Sequence, residues 1–224
     1  MDLIMSFGEL LSTRILAAKF TSMGISCKWI DSRTIIRTKQ EAQQHVVDIE
    51  ALNVAAEEAF SNTRTKLHVV PGFIASDSEG RTTTLGRGGS DYTASLLAAA
   101  ISARRLEIWT DVCGMMTADP RIVPEAKTIE NISYRAALEL SHFGAKVVYP
   151  PTIQPVVSKA IPIMVKNTFD PHGKGTLIEQ NPPESASTVK GIPSIGHLAL
   201  LSMEGSGMVG IPGSSSRFFQ VLSK

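Results

Sequence analysis

Helix-length segments alternate along this sequence with short apolar runs of strand length, and this alternation constrains the fold more than any other feature. A helix rich in Ala and Leu is predicted over Tyr92–Ala103, and a short strand over Leu106–Trp109 follows it. Ser133 and Gly144 predict the N-cap and the stop of a further helix, and the apolar run Ile161–Lys166 predicts a later strand. Such alternation predicts an α/β domain with a largely parallel sheet.

The N-terminal part of the sequence predicts further elements of the same kinds. We expect a helix over Glu9–Met23 that stops at Gly24, and a second helix that Asp48 caps. A turn at Asp77–Gly80 lies between two strand-like runs. This arrangement predicts a hairpin that leads into a glycine-rich segment.

A polar segment with two adjacent prolines divides the sequence. It covers residues 179–188 and predicts a linker. We therefore expect a first domain over 1–178 and the beginning of a second domain over 189–224. The second would contain a strand at His197–Met203 and a helix at Ser214–Leu222, which is too little to bury a core alone.

The charges of the chain are balanced, with 22 Lys plus Arg, 21 Asp plus Glu and a net charge of +1. This balance predicts no binding to nucleic acid or to an anionic membrane. No apolar run approaches the ~20 residues that a membrane span requires. The two cysteines, Cys27 and Cys113, make neither a disulfide framework nor a zinc site, and we expect a cytoplasmic protein without a metal held by its own side chains.

The run Gly86–Asp91, Gly-Arg-Gly-Gly-Ser-Asp, stands directly before the helix predicted at Tyr92. Its glycines let the backbone approach a ligand closely, and a helix N-terminus offers free N–H groups with a positive partial charge. Arg87 adds a cation with a forked set of donors. The segment favours binding of a carboxylate or phosphate, and the alternative is a tight turn with Ser90 as an ordinary N-cap. It is neither a Walker A loop nor a dinucleotide fingerprint.

A second polar segment, Trp109–Arg121, begins where an apolar strand ends, which is where α/β folds bind their ligands. Asp111 and Asp119 are candidates to orient a metal or hydrated phosphates, and Arg121 is a candidate to reach a phosphate. The alternative is a polar loop in which Asp-Pro-Arg forms a turn.

Two further charged residues have both a functional and an ordinary interpretation. Lys146 follows a predicted helix stop, where it would serve as a point charge for phosphate or stay a solvated surface residue. Glu9 would recognise an ammonium group, or would be an acid that the helix dipole favours in a first turn.

Together these segments resemble the aspartate kinases of the amino-acid kinase superfamily. The resemblance follows the chain in order, over Ser6–Ser12, Gly72–Ile74, Thr82–Ala94, Trp109–Ile129, Phe143–Val147, Ile161–Ile163 and Lys166–Thr168. It implies the three-layer αβα sandwich of the amino-acid kinase (carbamate kinase-like) fold. Beyond the linker it implies the start of an ACT-type α+β regulatory domain.

The resemblance also implies an activity and assigns residues to it. Members phosphorylate the side-chain carboxylate of L-aspartate with ATP and Mg²⁺, which gives 4-phospho-L-aspartate for lysine, threonine and methionine biosynthesis. The implied substrate-binding residues are Glu9, on the amino group, Arg87, on the carboxylate, and Gly88, Gly89 and Ser90. Asp91 would organise the transfer centre. The nucleotide side would comprise Thr110, Asp111, Met116, Arg121 and Lys146.

By the same resemblance, the ACT-type domain would pair in a homodimer and bind lysine or threonine as a feedback inhibitor. The sequence departs from the family's pattern at two positions, since the family often has Tyr where Met116 stands and His where Tyr149 stands. The family's Lys-Phe-Gly-Gly-Thr segment, whose Lys neutralises the transferred phosphoryl group, is not in this sequence. We therefore expect the chain by itself to be inactive or nearly so.

Two other functions compete with an aspartate kinase. One is a non-catalytic ligand-binding or regulatory fragment that completes a partner chain. The other, a nicotinamide-dependent oxidoreductase, is disfavoured because the dinucleotide fingerprint is absent.

Overall fold

The computed structural model describes residues 1–41, 44–61, 65–145, 147–183, 189–196, 198–199, 201 and 213–223. The chain divides into two compact units, Met1–Ser194 and Ile195–Lys224. The linker predicted over 179–188 stays a prediction, because part of it lies outside the described residues. Most of the strand predicted at His197–Met203 also lies outside them.

The helices of the described part include two that the sequence did not predict at all and one that is longer than predicted. They are α1 (Asp2–Ser22), α2 (Ser32–Ile35), α3 (Ile49–Phe60), α4 (Gly89–Ala100), α5 (Tyr134–His142), α6 (Pro150–Ser158) and α7 (Ser214–Leu222). The prediction that α1 starts at Glu9 is wrong, because the preceding apolar residues continue the helix back to Asp2. Helix α6 was missed because of its prolines, although a proline at N1 loses no intrahelical hydrogen bond.

Two predicted helix caps and the C-terminal helix are confirmed. The carboxylate of Asp48 accepts a hydrogen bond from the Ala51 N–H at 3.1 Å, and the hydroxyl of Ser133 accepts one from the Ala136 N–H at 3.2 Å. Each bond satisfies one of the free donors in the first turn of α3 or α5. In the second unit, α7 follows Gly213, as predicted.

The described strands form one four-stranded sheet and three two-stranded pairs. They are β1 (Cys27–Trp29), β2 (Thr38–Glu41), β3 (Gln44–Val47), β4 (Leu67–Val69), β5 (Ile74–Ser76), β6 (Thr82–Thr84), β7 (Leu106–Thr110), β8 (Asn131–Ser133), β9 (Ile163–Asn167) and β10 (Thr176–Glu179). The larger sheet has the order β7-β9-β10-β8. The predicted hairpin is confirmed as the antiparallel pair β5–β6, while β1 and β4 pair in parallel.

The four-stranded sheet is mixed: two of its three strand pairings are parallel, in line with the prediction of a largely parallel sheet, and one is antiparallel. Strands β7 and β9 are parallel, and so are β8 and β10, but β9 and β10 are antiparallel. The connection from β9 to β10 covers only residues 168–175, which is too short for the crossover that parallel strands need.

Helix α4 lies between two hydrophobic cores. Ala98 belongs to the core that the four-stranded sheet shares with α5 and α6, and Leu96 belongs to the core of α2, α3 and β3. Residues two apart on a helix point in nearly opposite directions, so one helix serves both cores. Because α4 is also packed against α6, its position depends on both halves of the first unit.

We predict that Leu96→Ala lowers the free energy of unfolding by about 2–5 kcal/mol, since the side chain is 1% exposed and its loss leaves a cavity. Leu11→Ala is the matched control, because that leucine is 58% exposed on α1. Urea unfolding of the two variants tests this. Equal losses would show that α4 does not contribute to the second core as described.

Candidate active site

The glycine-rich segment forms the turn that starts α4. Gly86 and Gly88 have φ values of 69° and 70°, a region that favours glycine, and Gly88 is the N-cap of the helix. The alternative in which Ser90 is the N-cap is therefore wrong, because Ser90 lies in the first turn. A Cβ on Gly88 would stand 2.8 Å from the Thr152 Cγ2, so this turn packs directly on α6.

A second turn, Gly72–Phe73, packs against the same helix start. Phe73 has a φ of 69°, and its N–H donates to the Thr93 hydroxyl oxygen at 3.0 Å. A Cβ on Gly89 would lie 2.7 Å from the Phe73 ring, and one on Gly72 would lie 3.0 Å from the Ser90 Cα. Two of the segments that carry the resemblance are therefore in contact, and the strained Phe73 is held in place by α4.

Arg87 presents its guanidinium at this turn. The side chain is exposed and makes no ion pair with any carboxylate of the described residues. The guanidinium carbon stands 5.1 Å from the centroid of the Tyr149 ring. The planar donors of Arg87 are therefore free to bind an anion in two-pronged geometry.

Asp91 lies in the first turn of α4 and is half-buried. Within the described part of the chain, its carboxylate has no hydrogen-bond or ion-pair partner. Burial raises the pKa of the Asp91 carboxyl above its usual range. A partly desolvated carboxylate without a partner favours the approach of a cation or a hydrogen-bond donor.

The second predicted segment begins at the ends of two parallel strands. Thr110 is paired with Asn167 at the ends of β7 and β9, and the Thr110 carbonyl accepts a hydrogen bond from the Thr168 N–H at 2.8 Å. The Thr110 hydroxyl donates to the neighbouring Asp111 carboxylate at 3.1 Å. Two predicted nucleotide-side residues thus stand together at the carboxyl edge of the sheet, where ligands of α/β folds bind.

The loop that follows Asp111 is held by the buried hydroxyl of Thr176, a residue to which the sequence gave no role. The Thr176 Oγ1 accepts a hydrogen bond from the Met115 N–H at 2.8 Å. Position 114 requires a residue without a Cβ, because a Cβ there would lie 2.3 Å from that hydroxyl oxygen. Met116 then pairs with Thr128 in an isolated β-bridge, which closes the loop.

Arg121 is not free to reach a phosphate in this structure, because it is paired with Asp119. The guanidinium donates to both carboxylate oxygens, at 3.0 Å from Nε and 2.7 Å from Nη2. These hydrogen bonds lower the pKa of the Asp119 carboxyl to about 2. Binding of a phosphate by Arg121 would require the guanidinium to leave Asp119.

A cavity of about 320 Å³ lies at the same edge of the sheet, lined in part by Cys113, Asn167 and Lys174. The Asn167 amide donates to the Cys113 sulfur at 3.3 Å, and the Lys174 ammonium pairs with Glu130 at 2.7 Å. Sequence reasoning gave these residues no role in binding. The signal that could have found them is that Cys113 and Asn167 lie in segments that carry the resemblance, Trp109–Ile129 and Lys166–Thr168.

Two predicted site residues remain, Glu9 and Lys146. Glu9 is the eighth residue of α1 and not part of its first turn, so the helix-dipole interpretation of it is wrong. Its helix packs against β6, the strand that leads into the Gly86 turn, but no described hydrogen bond joins Glu9 to Arg87. Lys146 lies outside the described residues.

Comparison with known proteins identifies this arrangement. The model of the amino acid kinase family matches residues 1–167. The chain belongs to the amino acid kinase family. It is 38% identical over 97% of its length to bifunctional aspartokinase/homoserine dehydrogenase 2 of Arabidopsis thaliana, of which it covers 24%. It is 44% identical over 81% of its length to lysine-sensitive aspartokinase 3 of Escherichia coli, of which it covers 41%.

The solved structures agree with this assignment. The crystal structure of E. coli aspartokinase III in complex with aspartate and ADP superposes on 80% of this chain with a TM-score of 0.73 and 42% identity. The chain covers 40% of that protein. The predicted fold class, that of the amino-acid kinases, is thereby confirmed, and the chain spans less than half the length of these relatives.

Two searches of the described residues gave negative results. None of their helices is long and apolar enough to cross a membrane. None of their groups of His, Cys, Asp and Glu side chains has the composition and proximity to hold a metal ion.

We predict that Gly88→Ala destabilises the protein more than Gly86→Ala does. Both replacements put alanine at a positive φ, which costs about 1–2 kcal/mol. Only at Gly88 does the new Cβ also collide with Thr152, whereas nothing lies within 4 Å of a Cβ on Gly86. Chemical denaturation measures the difference, and equal losses would mean that α6 does not press on this turn.

We predict that Asp91→Asn and Asp119→Asn change stability in opposite directions near neutral pH. The folded state raises the pKa of Asp91, so it binds a proton more readily than the unfolded chain and loses stability as the pH rises through the raised pKa. Asp91→Asn should thus be more stable than the wild type near neutral pH, and the gain should vanish in acid.

Asp119 has a lowered pKa, so the stability it contributes is present above its unfolded value of 3.8 and is lost as the pH falls toward about 2. Asp119→Asn should therefore be less stable than the wild type near neutral pH. Unfolding free energies measured across the acidic range test both signs. A destabilised Asp91→Asn variant would show that Asp91 has a favourable partner.

Proposed function

We propose that this chain is the kinase part of an aspartate kinase, which transfers a phosphoryl group from ATP to the side-chain carboxylate of L-aspartate. The observation that carries this proposal is the guanidinium of Arg87, which has no carboxylate partner among the described residues and stands at the N-terminus of α4. A free guanidinium, a helix N-terminus and a glycine turn favour a carboxylate ligand. The named relatives support aspartate as that ligand, since E. coli aspartokinase III was crystallised with it.

In this proposal the α4 turn binds the acceptor. Arg87 pairs with a carboxylate of the substrate, and the backbone of Gly88, Gly89 and Ser90 lines the pocket beside it. Asp91, half-buried and without a described partner, helps to organise the transfer centre by attracting positive charge. Glu9 binds the substrate ammonium group, and the packing of α1 against β6 supports its placement on this side of the fold.

The nucleotide binds at the carboxyl edge of the sheet. Thr110 and Asp111 lie where β7 ends, and Met116 lies in the loop that Thr176 anchors. Arg121 leaves its ion pair with Asp119 and binds a phosphate, and Lys146 supplies a further cation. The cavity beside Cys113 offers room at this edge.

Magnesium enters with the nucleotide and not as a metal held by the protein. The described residues contain no group of three metal-binding side chains, and Mg²⁺ typically uses one or two carboxylates together with the phosphates. Asp91 and Asp111 are the carboxylates available for this. Phosphoryl transfer needs mainly positioning and neutralisation of charge, which such groups supply.

Regulation and assembly form the second part of the proposal. The residues from 189 onward begin an ACT-type domain that pairs in a homodimer and binds a feedback amino acid, lysine or threonine. The described helix α7, with Phe219 and Val221 exposed, offers apolar surface for such pairing. The lysine sensitivity named for one relative supports lysine as one candidate effector.

We predict that Arg87→Ala weakens L-aspartate binding by at least about tenfold, because loss of hydrogen bonds to a charged group costs about 1.5–3 kcal/mol. Calorimetric titration of the 224-residue chain with L-aspartate measures this. Arg135→Ala is the matched control, since that side chain is 90% exposed on α5. Saturable binding that Arg87→Ala leaves unchanged, or no binding by the folded protein, would contradict the proposal.

A further inference from the structure

Tyr149 is fixed at the start of α6. It is the N-cap residue of that helix, and its carbonyl accepts hydrogen bonds from the Thr152 N–H at 3.0 Å and from the Thr152 hydroxyl at 2.7 Å. The first turn of α6 packs in turn on the Gly88 turn through the Thr152 methyl. The position of the Tyr149 backbone is therefore tied to the start of α4.

The Tyr149 ring lies against the glycine turn and under the guanidinium. A Cβ on Gly88 would stand 3.3 Å from the Tyr149 Cδ1 and 3.6 Å from its Cβ. The guanidinium carbon of Arg87 is 5.1 Å from the ring centroid, within the range of a cation–π contact. The ring is 38% exposed, so part of it remains open to solvent.

This contact has a consequence for binding. A cation–π contact uses none of the N–H donors of the guanidinium, so they remain free for a carboxylate. A long arginine side chain that is already held loses less conformational freedom when a ligand binds. Among the described residues, no ion pair or hydrogen bond holds the Arg87 side chain, and the ring is a contact that limits its positions.

We propose that Tyr149 is a positioning residue, whose ring holds the Arg87 guanidinium ready for the substrate carboxylate. This inference rests on the proposed function, because it assigns Arg87 to L-aspartate. It gives a role to Tyr149, which stands at a position where the family often has His. A neutral ring at this place holds the cation without adding a second positive charge to the anion pocket.

The experiment compares Tyr149→Leu and Tyr149→Met, which lack the ring, with Tyr149→Phe, which keeps it. Each is titrated with L-aspartate and separately with ADP by calorimetry. We expect the two variants without the ring to bind L-aspartate about two- to fivefold more weakly, in line with an exposed cation–π contact. Tyr149→Phe should restore wild-type affinity, and ADP affinity should stay unchanged throughout.

Two controls separate positioning from a merely structural effect. Phe219→Leu removes an aromatic side chain of α7 that is 66% exposed and should leave both affinities unchanged. In the wild type without ligand, nuclear Overhauser contacts between the Arg87 side chain and the Tyr149 ring protons should be present. That measurement needs no variant, so it decides the contact even if Tyr149→Leu and Tyr149→Met fail to fold.

The outcomes distinguish the inference from the proposed function. If the wild type binds L-aspartate but the variants without the ring bind it equally well, Tyr149 has no positioning role and the proposed function stands. Absence of the Overhauser contacts, or a Tyr149→Phe variant as weak as Tyr149→Leu, would also overturn the inference alone. If the folded wild type does not bind L-aspartate, the proposed function fails and the inference fails with it.

Discussion

The packing of α4 between two hydrophobic cores is the constraint on which the rest of the structure depends. Leu96 faces the core of α2 and α3, and Ala98 faces the core of the four-stranded sheet. A helix held on opposite sides has little freedom to turn or slide. Its N-terminus, which carries the Gly88 turn and Asp91, is therefore fixed relative to both halves of the first unit.

Small residues make this arrangement possible at the site itself. The Gly88 and Gly89 positions have no room for a Cβ, because Thr152 of α6 and Phe73 stand within 3 Å of where it would lie. Three segments far apart in sequence thus meet at the start of one helix. Because Gly88 has no capping side chain, the Ser90 and Asp91 N–H groups of the first turn stay available to a ligand, while the Gly89 N–H donates to the Gly86 carbonyl at 3.0 Å.

Two charged residues at the start of α4 have no ion-pair partner among the described residues, whereas other arginines of the chain do. Arg33, Arg81 and Arg121 each pair with an aspartate close to them in sequence. Arg87 has no such partner among the described residues, and Asp91 is half-buried with a raised pKa. Leaving charges unpaired costs stability, and such a cost is common where a ligand completes the pairing.

The sequence by itself determined the local features: the caps at Asp48 and Ser133, the hairpin of β5 and β6, and the glycine turn before α4, because each depends on neighbouring residues. The resemblance of the sequence to the aspartate kinases also identified segments that meet at the site. The tertiary structure alone decided that β9 and β10 run antiparallel and that the turn at Gly88 packs on α6. It also placed Tyr149 under Arg87, since contacts between residues more than sixty positions apart leave no periodic pattern in the sequence.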